Sequence, residues 1–147
     1  MIIFKLSKQK FVERDISSIN NLLRQLNPNA PTLTTETLSK IFSEQPEVVI
    51  ATFLDESNNN QIIAMASLYT TRTLFGLKGI IEDVVVDKAH RGRGLGRRLM
   101  VGLIDAAIEK GIKRIELTSQ SSRVNANNLY KSLGFKKRET NVYKLEL

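Results

Sequence analysis

Residues 80–100 read IIEDVVVDKAHRGRGLGRRLM and carry the strongest structural pattern in this chain. The β-branched and apolar residues at its start predict a buried strand over residues 80–86. From Leu95 and Leu99 onward, apolar residues recur every three or four positions, which predicts a long helix. A loop with three glycines separates the two elements. The stretch therefore predicts a strand, a glycine-rich turn and a helix.

The glycine-rich turn has the features of a phosphate-binding loop. Gly92, Gly94 and Gly96 allow sharp backbone turns that bring several N–H groups to one point, and the next helix adds the positive end of its dipole. Such a loop binds phosphate or pyrophosphate; the alternative is a solvated turn. The dinucleotide motif G-x-G-x-x-G needs a glycine where Arg97 stands, and the P-loop triplet G-K-[ST] is absent from the sequence.

The neighbouring segments extend this pattern into an α/β fold. Residues 48–54 and 61–69 flank the turn-forming run SNNN at residues 57–60, which predicts an antiparallel hairpin. A strand over residues 114–118 follows the long helix, so a right-handed crossover makes it parallel to the strand over residues 80–86. The inner face of the long helix is predicted to hold Leu95, Leu99, Leu103, Ala107 and Ile108.

The two ends of the chain carry weaker patterns. Asp15 is predicted to cap an apolar-striped helix, and a second short helix is expected over residues 35–42. A further helix is predicted over residues 125–133, with strands near residues 135–137 and 142–146. The fold class is therefore α/β, with a mixed central sheet flanked by helices.

The composition narrows the class of protein. A chain of 147 residues has the length of one domain, so we expect a single domain over residues 1–147. The absence of cysteine and the single His90 exclude a disulfide framework and a multi-His metal site, and we expect no metal. His90 is expected on the surface. No segment approaches the roughly 20 apolar residues of a membrane span, so we expect a cytoplasmic protein that does not bind membranes.

The charge balance points to an anionic partner. The chain has 22 Lys and Arg against 15 Asp and Glu, a formal net charge of +7. The basic residues concentrate around the glycine loop and in the run KKR at residues 136–138. Neither cluster is interleaved with the aromatic residues that stack on nucleic-acid bases. A nucleic-acid-binding protein is therefore the less favoured of the alternatives.

The pattern Arg91-x-x-Gly94-x-Gly96 resembles the signature Q/R-x-x-G-x-G/A of the Gcn5-related N-acetyltransferase family. The segment NNLYKSLGF at residues 127–135 is similar to the downstream motif of that family, and two motifs at this separation are more specific than either one. The resemblance implies a mixed, mostly antiparallel sheet with a splayed parallel strand pair. The residues IED at 81–83 resemble the glucosamine-phosphate acetyltransferases and many bacterial members of unassigned substrate.

The resemblance implies that acetyl-CoA is the co-substrate and that its acetyl group passes directly to a primary amine. The acceptor would be a small molecule such as an amino sugar, or a peptide or protein amine. Relatives commonly form homodimers. They also carry a bulge in the strand that binds the pantetheine arm, with the pyrophosphate on the glycine loop. The matching cofactor-binding residues are Val84, Val85, Val86, Arg91, Gly92, Arg93, Gly94, Leu95, Gly96, Arg97 and Asn127.

The resemblance also assigns the catalytic roles. Glu82 is the candidate general base for the amine, and Tyr130 matches the tyrosine that protonates the departing thiolate. Strand alternation predicts that Glu82 and Asp83 face opposite sides, so that only one faces the slot. In the alternative interpretations, Glu82 is a paired carboxylate of the sheet, Tyr130 packs in the core with Phe135, and Asn127 caps a helix. A non-catalytic acyl-CoA-binding module would keep the same fold.

Overall fold

The computed structural model describes residues 1–7 and 11–147. Two short 3-10 turns, Glu56–Asn58 and Lys88–His90, follow the second and fourth strands. No helix in these ranges combines the length and hydrophobicity needed to cross a lipid bilayer. The regular elements, in chain order, are β1 (Ile2–Ser7), α1 (Glu13–Leu26), α2 (Thr35–Glu44), β2 (Val49–Asp55), β3 (Gln61–Thr73), β4 (Gly76–Val86), α3 (Leu95–Glu109), β5 (Ile115–Glu116) and α4 (Val124–Ser132).

The five strands form one mixed sheet in the order β1-β2-β3-β4-β5. The first three pairings are antiparallel, and β4 and β5 are parallel. The α/β fold, the hairpin between β2 and β3, and the parallel pair are therefore confirmed. At the hairpin turn Asn59 and Asn60 have φ values of 52° and 56°, a left-handed conformation that asparagine tolerates well.

The fourth strand contains a bulge. Met65 of β3 pairs with Val85, but Ser67 pairs with Glu82, so the two residues between them on β4 face one residue on β3. The first of the two, Asp83, has a φ of +55°. The expected bulge is thus present, and it breaks the side-chain alternation of β4 at this point.

Helix α3 packs across the sheet through the predicted apolar face. Leu95, Leu99, Leu103 and Ala107 are all buried, as expected. Ile108, by contrast, is 66% exposed, so its assignment to this face is wrong. It lies five residues after Leu103, about 140° away around the helix axis, and therefore points away from the sheet.

Helix α3 lies close to β1 at Gly102. A Cβ atom at this position would overlap the ring of Phe4 in β1. The Phe4 ring in turn lies 5.1 Å from the ring of Phe53, which is fully buried in β2. A side chain at residue 102 would therefore require the Phe4 ring or the helix to move.

Two predictions for the chain ends are wrong. Helix α1 begins at Glu13, so Asp15 lies inside its first turn, where its carboxylate accepts the Val12 N–H at 3.0 Å. The strands predicted near residues 135–137 and 142–146 do not form: no strand is found between residues 135 and 147. Phe135 packs against the core, but the apolar side chains near the end of the chain stay exposed although their types favour strands. The exposed residues include Val142, Tyr143 and Leu145.

Candidate functional site

The glycine loop lies at the carboxyl end of β4 and leads into α3. Gly92 and Gly94 have φ values of 76° and 72°, in the left-handed region that favours glycine. Gly94 is the N-cap of α3 and offers no side chain to bind the first-turn N–H groups, and that turn contains no acidic residue. The loop therefore presents backbone donors and the positive end of a 15-residue helix.

Close packing at Gly96 joins the two sequence motifs. A Cβ atom at this residue would lie 3.3 Å from Leu129 of α4 and 3.8 Å from Val86 of β4. One residue later, the Arg97 guanidinium donates to the Ser132 hydroxyl at 3.0 Å. Helix α4 is thereby fixed beside the glycine loop.

The arginines of this region do not all face the loop. The Arg91 Nε donates to the Val86 carbonyl at 3.1 Å, so this side chain folds back onto the end of β4. The Arg98 guanidinium carbon lies 4.6 Å from the centre of the Phe53 ring, a cation–π contact with the core. Arg93 is exposed, whereas Leu95 is buried.

A cavity of about 440 Å³ opens beside the bulge of β4, and a second of about 740 Å³ adjoins it. The strand pairing of β4 with β5 ends at Ile80 and Glu116, so the two strands leave a gap beyond that point. Glu82 and Tyr130 line both cavities. Asp83, Val84 and Arg123 line the smaller one.

The prediction that Glu82 and Asp83 face opposite sides is wrong, because both line the smaller cavity. The bulge and the positive φ of Asp83 cause the difference. Burial raises the pKa of Glu82, and the nearby charge of Asp83 raises it further. Burial also raises the pKa of Asp83, although a 3.1 Å hydrogen bond from the Ser67 hydroxyl opposes this effect. Two neighbouring carboxyl groups of raised pKa are suited to proton transfer.

Tyr130 is both a core residue and a cavity residue. Its side chain is 6% exposed, and its ring packs edge-on against Phe135 at 6.1 Å. Burial raises the pKa of the Tyr130 phenol, and the charge of Arg123 only partly opposes this. The phenol therefore keeps its proton at neutral pH and can donate it.

Asn127 holds the loop that precedes α4. Its amide nitrogen donates to the carbonyl oxygens of Gln120 and Arg123, both at 2.9 Å. The Arg123 guanidinium in turn lies 3.5 Å from the Val84 carbonyl oxygen. Asn127 thus lies beside the larger cavity and holds the preceding loop, and the capping role that the sequence left open is not found, because the N-cap of α4 is Arg123 and makes no side-chain cap hydrogen bond.

Two groups of residues were missed by the sequence analysis. His90 is not on the surface: its side chain is 18% exposed and lies against Asp87 and Asp55. In the sequence, only Asp87, three residues before His90, indicated this contact. Three lysines, Lys131, Lys136 and Lys137, line the larger cavity, and the run at residues 136–138 was the available signal.

Comparison with known proteins identifies the family. The model of the "Acetyltransferase (GNAT) family" matches residues 16–135. The glucosamine 6-phosphate N-acetyltransferase of Trypanosoma brucei brucei is 29% identical over 131 residues, which is 86% of each chain. A probable glucosamine 6-phosphate N-acetyltransferase 2 of Oryza sativa subsp. japonica is 33% identical over 104 residues. That match covers 65% of this chain and 62%, less than two thirds, of the rice protein.

A solved structure supports the same family assignment. The crystal structure of a Trypanosoma brucei acetyltransferase superposes with a TM-score of 0.80 and 29% identity, over the full length of both chains. The shared fold and the family match over residues 16–135 together cover the sheet, the glycine loop and the Tyr130 motif. The chain therefore belongs to the GNAT family of acetyltransferases.

Proposed function

We propose that this protein is an acetyl-CoA-dependent N-acetyltransferase that transfers the acetyl group from the thioester directly to a primary amine. The observation that carries the proposal is that the carboxyl group of Glu82 and the phenol of Tyr130 line one cavity, together with Val84 of β4, the strand that leads into the glycine loop. Membership of the GNAT family supports the same reaction.

The glycine loop fits the pyrophosphate of acetyl-CoA. The N–H groups of Gly92 to Arg97 lie at a helix N-terminus free of acidic side chains. Val84 to Val86 lie beyond the point where the pairing of β4 with β5 ends, so their backbone groups on that side have no strand partner. They would hold the amide-bearing pantetheine arm as an added strand. When bound, acetyl-CoA supplies an acetyl group activated as a thioester.

Two proton transfers are assigned to side chains of the cavity. The attacking amine must be neutral, and the Glu82 carboxylate accepts its proton directly or through water. The raised pKa of Glu82 brings it closer to that of the amine than an ordinary glutamate would be. The Tyr130 hydroxyl, which stays protonated at neutral pH, gives its proton to the departing sulfur.

The larger cavity supports an anionic acceptor, and we infer an amino-sugar phosphate. Its wall carries Lys131, Lys136 and Lys137, beside Glu82. No ion pair involves these three lysines within residues 1–7 and 11–147. They would bind the phosphate while the amine points toward Glu82. The rice and trypanosome relatives are named as glucosamine 6-phosphate N-acetyltransferases, which supports this acceptor class.

Release of CoA thiol in the presence of different amines tests the proposal. The chain contains no cysteine, so a thiol reagent detects only the product. We expect transfer to glucosamine 6-phosphate at a lower KM than to glucosamine or a peptide amine. Calorimetric binding of CoA without transfer to any amine would support the non-catalytic module instead. Absence of CoA binding, with salt-sensitive binding of DNA or RNA, would support the nucleic-acid alternative.

Two other expectations from the sequence stay predictions. Cytoplasmic localisation is checked by fractionation of the source cells. Homodimer formation is checked by light scattering on the purified chain.

A further inference from the structure

The single histidine lies between two carboxylates at the entry to the glycine loop. The His90 Nδ1 is 3.2 Å from Asp87 Oδ1, and its Nε2 is 3.6 Å from Asp55 Oδ2. Asp55 is the last residue of β2, whereas Asp87 directly follows β4. The imidazole ring therefore links the ends of two strands that are not neighbours in the sheet.

Asp87 is itself fixed by other elements. Its Oδ2 accepts a hydrogen bond from the Gln25 amide of α1 at 2.8 Å, and its backbone N–H donates to the Ile63 carbonyl of β3 at 2.8 Å. The Gln25 oxygen accepts the N–H of Lys88 at 3.0 Å. The turn Lys88–His90 is thus held by contacts from α1, β2 and β3, and we call these contacts the His90 clamp.

The glycine loop needs such an external support. Gly92 and Gly94 have no side chains with which to hold their left-handed conformation, so the loop must be fixed from its two ends. Helix α3 fixes the far end through the buried Leu95. The near end begins at Arg91, directly after His90. A shift of the turn would move every N–H group of the loop.

We propose that His90 is a positioning residue, which through Asp87 and Asp55 holds the glycine loop in the conformation that binds a pyrophosphate group. This inference rests on the proposed use of acetyl-CoA. Backbone donors act on an anion only when they converge on it, so the clamp sets affinity for the pyrophosphate and leaves the proton transfers at Glu82 and Tyr130 unchanged.

The test compares acetyl-CoA with S-acetylpantetheine, a thioester that lacks the nucleotide part of CoA and with it the pyrophosphate. In the variant His90→Phe, which keeps an aromatic ring without hydrogen-bonding atoms, we expect the calorimetric Kd of CoA to rise roughly five- to tenfold. The KM of acetyl-CoA should rise with it, with kcat at saturation unchanged. S-acetylpantetheine lacks the pyrophosphate, so its kcat/KM should stay at the wild-type value.

A second pair of variants separates positioning from general destabilisation. Gln25→Ala removes the contacts of α1 to Asp87 and Lys88. This variant should also lose kcat/KM with acetyl-CoA and keep it with S-acetylpantetheine. Asn21→Ala is the matched control, because Asn21 is an exposed residue of the same helix with no side-chain hydrogen bond among the described residues. It should change neither Kd nor KM. Should His90→Phe fail to fold, His90→Gln keeps one N–H donor group and is expected to show a smaller effect in the same direction.

Two results would overturn the inference. One is an equal loss of kcat/KM with both thioesters, which would make the clamp a support of the whole fold. The other is an unchanged Kd for CoA in folded His90 and Gln25 variants. Failure of the proposed function is a separate result: the wild type would then bind CoA with the expected dependence on His90 but acetylate no amine.

Discussion

The glycine-loop side of the proposed site offers backbone donors, whereas the cavity side is lined by long side chains. On the first side, N–H groups at the start of α3 are fixed by the His90 clamp and by close packing at Gly96. On the second side, lysines project from α4 and from residues 135–147, a segment without strand pairing. We call the first the rigid side and the second the adaptable side. Under the proposed function, the rigid side would bind the cofactor that the family shares, and the adaptable side would select the acceptor.

The largest expected effect concerns Tyr130, which lines both cavities. In Tyr130→Phe the ring packing is kept and the proton donor is lost, so we expect kcat to fall about 100-fold with the Kd of CoA unchanged. Tyr143→Phe, at an exposed tyrosine, is the control and should have wild-type kcat. Initial rates and calorimetry measure the two constants. If the Kd of CoA rises as well, Tyr130 acts in cofactor binding and not in proton transfer.

The next largest effect tests the rigid side alone. Gly94→Ala places a side chain at a φ of 72°, which costs about 1–2 kcal/mol. Relaxation of the loop would misalign its N–H groups, so the calorimetric Kd of CoA should rise about tenfold. Gly111→Ala carries the same strain, at a φ of 73° beyond the other end of α3. This control should lower the Tm and leave the Kd unchanged; a similar rise in Kd would mean that helix stability alone sets affinity.

A smaller effect, on stability, is expected from a substitution at the bulge of β4. Asp83→Asn should raise the free energy of unfolding at neutral pH by about 1 kcal/mol, because asparagine tolerates the positive φ and carries no buried charge. Since the pKa of Asp83 is raised in the folded state, the wild type gains stability on protonation and loses it as the pH rises through that pKa.

The Tm difference between Asp83→Asn and the wild type should therefore shrink as the pH falls. Thermal unfolding over a pH series measures it. A difference that grows toward low pH would contradict this account of the buried carboxylate.

The smallest effect tests the adaptable side. Replacing both Lys136 and Lys137 by alanine should raise the KM of glucosamine 6-phosphate about threefold, since exposed ion pairs contribute little individually. The KM of glucosamine and the Kd of CoA should not change. Lys40→Ala combined with Lys113→Ala, at two exposed lysines that line neither cavity, removes the same number of charges and is the control for net charge. Equal increases for both sugars would exclude phosphate recognition by these lysines.

The sequence predicted the rigid side well because the residues that specify it lie close together in the chain. The strand before the loop, the glycines at alternate positions and the apolar face of α3 each depend on residues close together in the chain. Their own conformational preferences specify the conformation, so the strand, the loop and most of the helix face were predicted in place.

Features that depend on distant partners were not predicted. The orientation of Glu82 and Asp83 depends on the register of β4 against β3, which no pattern within β4 reveals. The burial of His90 depends on Asp55, which lies 35 residues earlier. The segment at residues 142–146 has strand-like composition, but a strand also needs a partner edge, and the sequence pattern contains no information about one.

The close approach of Gly102 to Phe4 has a consequence for engineering the affinity of this protein. Gly102 lies eight residues after Gly94, about 12 Å along the helix, and contacts neither the loop nor the cavity. Because α3 is stiff and its neighbours are densely packed, enlarging residue 102 would tilt the helix as a unit and displace its N-terminal donors. Under the proposed function, residue 102 would thus be a remote position at which a substitution changes pyrophosphate affinity, and a smaller side chain at residue 4 would reverse that change.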